Sequence, residues 1–126
     1  MQDSPTAQEL IEAVQKFLQE KAMVELKGIS GFHARVAFNA LGIVARELDL
    51  GPKALHEEAE RLSSLLGREA PLAELNQELC EKIEAGELGL ETPGLIDHLK
   101  KTTLDKVAID QPKYKAYQIA REEWTN

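Results

Sequence analysis

Apolar positions recur along this chain at intervals of three and four residues, the spacing of helices that bury one stripe. Thr6 and Glu9 are spaced as a capping box, with Pro5 just upstream, and open a first helix. Leu10, Ile11, Val14, Phe17 and Leu18 form its stripe, and it should end near Met23 to Leu26. Gly28-Ile29-Ser30-Gly31 then reads as a flexible connector. The second helix, about 32–48, is apolar over an arc of roughly 240° at 100° per residue. Arg35, Asn39, Gly42 and Arg46 fill the gap in that arc. A helix so nearly apolar all round is expected at the centre of a bundle, and Asp49-Leu50-Gly51-Pro52 should break it.

Further segments follow the same grammar. A third helix is expected from about Pro52 to Leu66, aligned on Leu55, Ala59, Leu62 and Leu66, with Gly67 as its cap. A fourth runs from about Pro71 to Ala85 along Leu72, Leu75, Leu79 and Ile83, and Gly86 closes it. Glu57 with Arg61 and Glu78 with Lys82 are spaced as i,i+4 ion pairs on exposed faces. After a loop to Pro93, a fifth helix to Asp110 places Leu95, Ile96, Leu99, Thr103 and Val107 on one side. Beyond Gln111-Pro112, Tyr114, Tyr117 and Trp124 crowd three of six aromatics into a short tail. Aromatics bring the most buried area per residue, so this tail should dock on its own bundle or on a partner. Nothing alternates like a strand and no repeat appears. The expectation is one all-α domain over 1–126: a bundle of about five helices with a central apolar helix, a polar lead (1–5) and an aromatic tail (111–126).

Charge alters this picture by segment. The 126 residues carry 22 acids and 15 Lys plus Arg, a net of −7. Residues 57–97 hold −8 and residues 98–121 hold +4, so a basic surface survives inside an acidic chain. The acidic and basic parts either face each other, within one molecule or between two, or are ordinary solvated helix faces. A net acidic chain is a poor general nucleic-acid binder. The apolar residues are too dispersed for a membrane span, and no secretory signal opens the chain, so a cytoplasmic location is expected. The single cysteine, Cys80, excludes an intramolecular disulfide and multi-cysteine metal sites; on the edge of its helix's stripe it reads as small packing.

The chemistry offered is sparse. Walker and dinucleotide glycine motifs are absent, and His56-Glu57-Glu58-Ala59-Glu60 has Glu where a zincin needs its second His. No Glu-x-x-His pair suits a di-iron bundle, and Ser4, Ser30, Ser63 and Ser64 lie outside any nucleophile elbow. No metal or cofactor is therefore expected, and no catalytic residue is assigned. His33 lies mid-arc in the first turn of the second helix, where it should be buried and neutral, as a satisfied core histidine or as a ligand or acid/base group. An acid/base role needs a carboxylate nearby, with Asp97 and Asp110 as the candidates. Arg35, Asn39 and Arg46 share one polar stripe that either pairs with neighbouring carboxylates or holds a phosphate or carboxylate ligand. Gly42, between them, suggests close approach by a backbone or a ligand.

Three separated motifs resemble one family: Phe32-His33-Ala34-Arg35-Val36-Ala37 with Ile43-Val44-Ala45-Arg46-Glu47-Leu48; Ala108-Ile109-Asp110-Gln111-Pro112-Lys113-Tyr114; and Gln2-Asp3-Ser4-Pro5-Thr6 with Glu9-Leu10. Together, over about residues 2–117, they resemble a bacterial domain-of-unknown-function family of small helical proteins found beside aminoglycoside-phosphotransferase-like kinases and acyl-CoA dehydrogenases. The resemblance implies an accessory protein for such a kinase or dehydrogenase, and no catalytic residues. The chain has neither machinery itself. The leading expectation is therefore a helical accessory or interaction protein, with Lys113, Tyr114, Tyr117 and Trp124 as partner-facing candidates. A small-molecule binding bundle for an acyl or phosphorylated ligand is the second, an enzyme using His33 the third, and self-association is compatible with each.

Overall fold

The computed structural model describes residues 3–125, leaving Met1, Gln2 and Asn126 outside the account, including the first residue of the Gln2–Thr6 motif and the ends of the lead and tail. The protein is all-α. Its helices are α1 (Ala7–Phe17), a π-helical turn (Leu18–Ala22) leading into α2 (Met23–Glu25), α3 (Gly28–Leu66), α4 (Leu72–Glu84), α5 (Leu95–Asp110) and α6 (Lys115–Thr125). The chain divides into two compact units, 1–49 and 50–126.

In the first unit, α1 starts as its sequence dictates. Thr6 Oγ1 accepts from the Glu9 amide at 3.2 Å and Glu9 Oε2 accepts from the Thr6 amide at 2.7 Å, closing the capping box. The expected connector is shorter than its glycines suggested: only Leu26 and Lys27 lie outside helix, and Gly28 to Gly31 form the first turn of α3. Gly31 is required there by crowding, since a Cβ on it would stand 2.7 Å from the Leu26 carbonyl oxygen. The two arms form a helical hairpin, and Gln15 Nε2 donates to the Phe38 carbonyl at 3.4 Å across it. What the hairpin buries is small: Ala22, Ala34 and Ala45. The apolar arc of residues 32–48 is thus covered on one side only, with Phe32 58% and Leu48 49% exposed. The expectation of a helix enclosed on all sides is corrected, because α1 covers one face of the arc.

The expected break at residues 49–52 is also absent. α3 continues through Pro52 for 39 residues. Proline in a helix interior removes one hydrogen bond and costs about 3 kcal/mol. Against that stands an inward row at helical spacing, Gly51, Ala54, Glu58, Leu62 and Leu65, which keeps the register. Gly67, at φ +72°, ends α3 in the left-handed conformation, with its amide donating to the Ser63 carbonyl at 2.9 Å.

The second unit has a true core. Leu62 and Leu75 are fully buried, Leu79 and Leu95 nearly so, and Leu65, Leu66, Leu72 and Leu88 pack around them. The fourth and fifth helices fall where their periodicity predicts. Two expected ion pairs re-partner: Glu57 takes Lys53 at 3.7 Å, while Glu78 takes Arg68 at 2.6 Å and Lys82 takes Glu87 at 3.1 Å. Cys80 is exposed rather than packed into the stripe. The tail is the helix α6 and meets α5, with Lys100 Nζ 5.5 Å from the Trp124 ring centroid.

Candidate functional site

The α5 face that turns inward differs by one residue from the apolar stripe read in the sequence. Ile96 and Leu99 are exposed at 36% and 39%, and Thr103 spends its hydroxyl on the Leu99 carbonyl at 2.7 Å. The inward row is Leu95, His98, Thr102, Asp105 and Ile109, apolar at both ends and polar in the middle. α3 presents the complement, Glu58 and Arg61, next to the leucine core.

Arg61 organises this cluster. Its Nε donates to His98 Nδ1 at 3.3 Å, and an Nη donates to Thr102 Oγ1 at 3.1 Å. A guanidinium always carries its protons, so Nδ1 of His98 is the acceptor and the ring's hydrogen sits on Nε2. His98 is 2% exposed. Burial first, and then the Arg61 charge, hold its pKa below the ordinary imidazole value, with Glu58 and Asp97 opposing. Glu58, also buried, accepts from Asn76 Nδ2 of α4 at 3.0 Å, which joins three helices through polar contacts. Burial raises the Asp105 carboxyl above the ordinary range, opposed by Arg61 and reinforced by Glu57 and Glu58.

Beside Arg61 an open cleft of about 370 Å³ is lined by Glu60, Arg61, Ser64, Leu65, Pro93, Gly94 and Asp97. Its two carboxylates have partners on their own helices: Asp97 pairs with Lys101 at 2.9 Å, and Glu60 lies 3.4 Å from His56 Nε2. The cleft therefore offers a half-buried guanidinium, a hydroxyl and an apolar floor. Among the described residues no group of three His, Cys, Asp or Glu side chains could hold a metal ion.

The residues singled out from sequence lie elsewhere. His33 is exposed, with its ring 5.8 Å from that of Phe32, which corrects the expectation of a buried core histidine. The physical reason is again one-sided cover, since His33 sits on the part of the arc that α1 does not reach. Arg35 and Asn39 are exposed and Arg46 is half-buried. The close approach at Gly42 comes from side chains: a Cβ there would lie 3.1 Å from an Arg46 Nη and 3.5 Å from Gln15 Nε2. In the tail, Tyr114 is 57% exposed and Lys113 is exposed, whereas Tyr117 is half-buried with Arg121 5.6 Å over its ring. Asp97 answers to Lys101, as above.

Residues 24–114 match the family described as Domain of unknown function, DUF6285. The chain belongs to the DUF6285 family. Arg61, His98 and the polar cluster fall within the matched span, as do His33, Arg35, Asn39, Arg46, Lys113 and Tyr114. The DUF6285 match leaves out α1 and α6, and with them Tyr117 and Trp124. No curated protein and no solved structure matches the chain. No helix among the described residues of this DUF6285 protein is long and apolar enough to cross a membrane.

Sequence reasoning missed Glu58, Arg61, His98, Thr102 and Asp105. A signal was present: Leu95, His98, Thr102, Asp105 and Ile109 are spaced three and four apart, as any inward row must be. It was overlooked because polar side chains are counted as outward-facing by default.

Proposed function

We propose that this DUF6285 protein acts as an accessory protein that works by contact with other protein surfaces. The observation that carries this reading is the exposure of its aromatics. Phe17, Phe32 and Tyr114, three of the six in the chain, are 60%, 58% and 57% exposed. Aromatic side chains supply much of the energy of protein interfaces and are costly to leave in water. Tyr114 stands between Lys113 and Lys115 in the basic stretch of the chain, which suits a partner with an acidic surface. The family resemblance makes an aminoglycoside-phosphotransferase-like kinase or an acyl-CoA dehydrogenase the partner to look for, and Lys113, Tyr114, Tyr117 and Trp124 the residues to vary.

The test is recovery of the tagged protein from a native bacterial lysate, with mass spectrometric identification. A stoichiometric partner that is lost from a Lys113→Glu/Tyr114→Ala variant supports the reading. Recovery of this chain alone overturns it.

A second reading rests on the Arg61 cleft, whose volume is within the range of small-ligand sites, roughly 300–1,000 Å³. It places the acyl or phosphorylated ligand there rather than at His33, Arg35, Asn39 and Arg46, which line neither this cleft nor the one beside Arg68 and Glu78. Thermal shift with acyl-CoA and with inorganic phosphate tests it; no shift with either removes it.

A further inference from the structure

The face of α3 that α1 leaves uncovered has no partner within its own unit. It carries Ile29, Phe32, Val36, Val44 and Leu48, exposed by 71%, 58%, 48%, 43% and 49%. Ile29, Val36 and Ile43 stand seven residues apart, the period that keeps one helix's seam against another's. Among its described residues the same unit fully buries only Ala22, Ala34 and Ala45, and its larger apolar side chains are half-buried at most. A hairpin in that condition is half of a four-helix bundle.

We infer that this face is the contact between two copies of the chain, and the inference rests on the reading that the protein works through protein contacts. Area supports a second copy as the occupant. At roughly 150 Å² for a fully exposed side chain of this size, half-exposed on average, the five residues present about 400 Å² of apolar surface. Homodimer interfaces are about 65% apolar, so that area corresponds to about 620 Å² per copy. Stable interfaces bury from about 600 to 1,000 Å² per partner, and this face reaches the lower end of that range.

Charge points the same way. A two-fold contact sets each surface against itself, so a charged face would repel its own copy. This one holds a single acidic side chain, Glu47, while the strongly acidic stretch of the chain, residues 57–97, belongs to the other unit. A dimer built here would carry two tails, and a partner with two acidic patches would gain avidity from that pair.

Sedimentation velocity on the intact purified chain is the test, together with cross-linking. The expected mass at micromolar concentration is twice 14.0 kDa. Val36→Glu combined with Val44→Glu should weaken the dimer by about 100-fold. Because that variant could lose its fold, a second measurement uses Val36→Cys in a Cys80→Ser background and a short bis-maleimide. Efficient cross-linking at position 36, compared with Lys16→Cys on the polar face of α1, supports the inference. A monomer throughout the micromolar range, or a dimer that cross-links no better at position 36 than at position 16, overturns it. Either result leaves the lysate experiment above to decide the accessory role separately.

Discussion

Replacing Arg61 with alanine removes the hub of the buried polar cluster, and the structure allows the cost to be worked out. Two donated hydrogen bonds go, to His98 Nδ1 at 3.3 Å and Thr102 Oγ1 at 3.1 Å. Each is worth about 1 kcal/mol net, and a buried ring nitrogen left without a donor adds about 1–2 kcal/mol more. Asp105 loses the larger of its compensating charges as well. The expected loss is therefore about 3 kcal/mol, which for a folding unit of this size lowers Tm by about 10–20 °C. Circular dichroism melts measure it.

The pH dependence carries a sign that a mere packing defect would not reproduce. Wild-type His98 has a folded-state pKa below its ordinary 6.5. As pH falls through 6.5 the unfolded chain takes up a proton that the folded chain refuses, so stability declines until the folded pKa is reached. Without Arg61 one cause of the lowered pKa is gone, the folded value rises, and the decline is shallower. Asp105 adds to the effect, since its raised pKa rises further and the folded state then binds protons more readily than the unfolded. The stability gap between wild type and Arg61→Ala should accordingly narrow between about pH 7.5 and 5.5. The His98 ring signal in proton NMR should titrate at higher pH in the variant. A Tm loss of only about 2 °C, or a gap that stays constant with pH, would refute the role given to Arg61.

Other substitutions probe separate parts of the chain. Leu62→Ala, at a fully buried site, should cost about 3–5 kcal/mol by denaturant titration, and Leu55→Ala, 55% exposed, less than about 1 kcal/mol. Gly31→Ala drives a Cβ against a backbone carbonyl and should destabilise by about 1–3 kcal/mol. Gly42→Ala meets only the flexible ends of the Arg46 and Gln15 side chains and should be neutral or stabilising by up to about 1 kcal/mol; equal effects of the two on Tm would contradict the crowding argument. Asp105→Asn removes a carboxyl whose pKa is raised in the folded state, an ionisation that costs stability as pH rises through 3.8 to that higher value. The variant should melt a few degrees higher than wild type at neutral pH, and the difference should vanish in strongly acidic buffer.

Local chemistry made much of this architecture legible from the sequence. The capping box at Thr6 and Glu9, the left-handed stop at Gly67, and the periodicity of Leu72 to Ile83 act within a turn or two of chain, and each produced the element it announced. The all-α class follows from the same spacing summed over the chain. Tertiary structure decided what spacing cannot: whether an apolar arc is covered, and which of two adjacent rows on a weakly amphipathic helix turns inward. His33 looked buried because its neighbours are apolar, yet only one flank of its helix meets α1. His98 looked unremarkable because its row is polar in the middle, yet Arg61, 37 residues away in sequence, reaches across to make that row the inner one. Pro52 looked like a stop, and the inward row that runs from Gly51 to Leu65 carried the helix through. In each case the deciding energy came from residues distant in sequence, and periodicity along one segment holds no record of them.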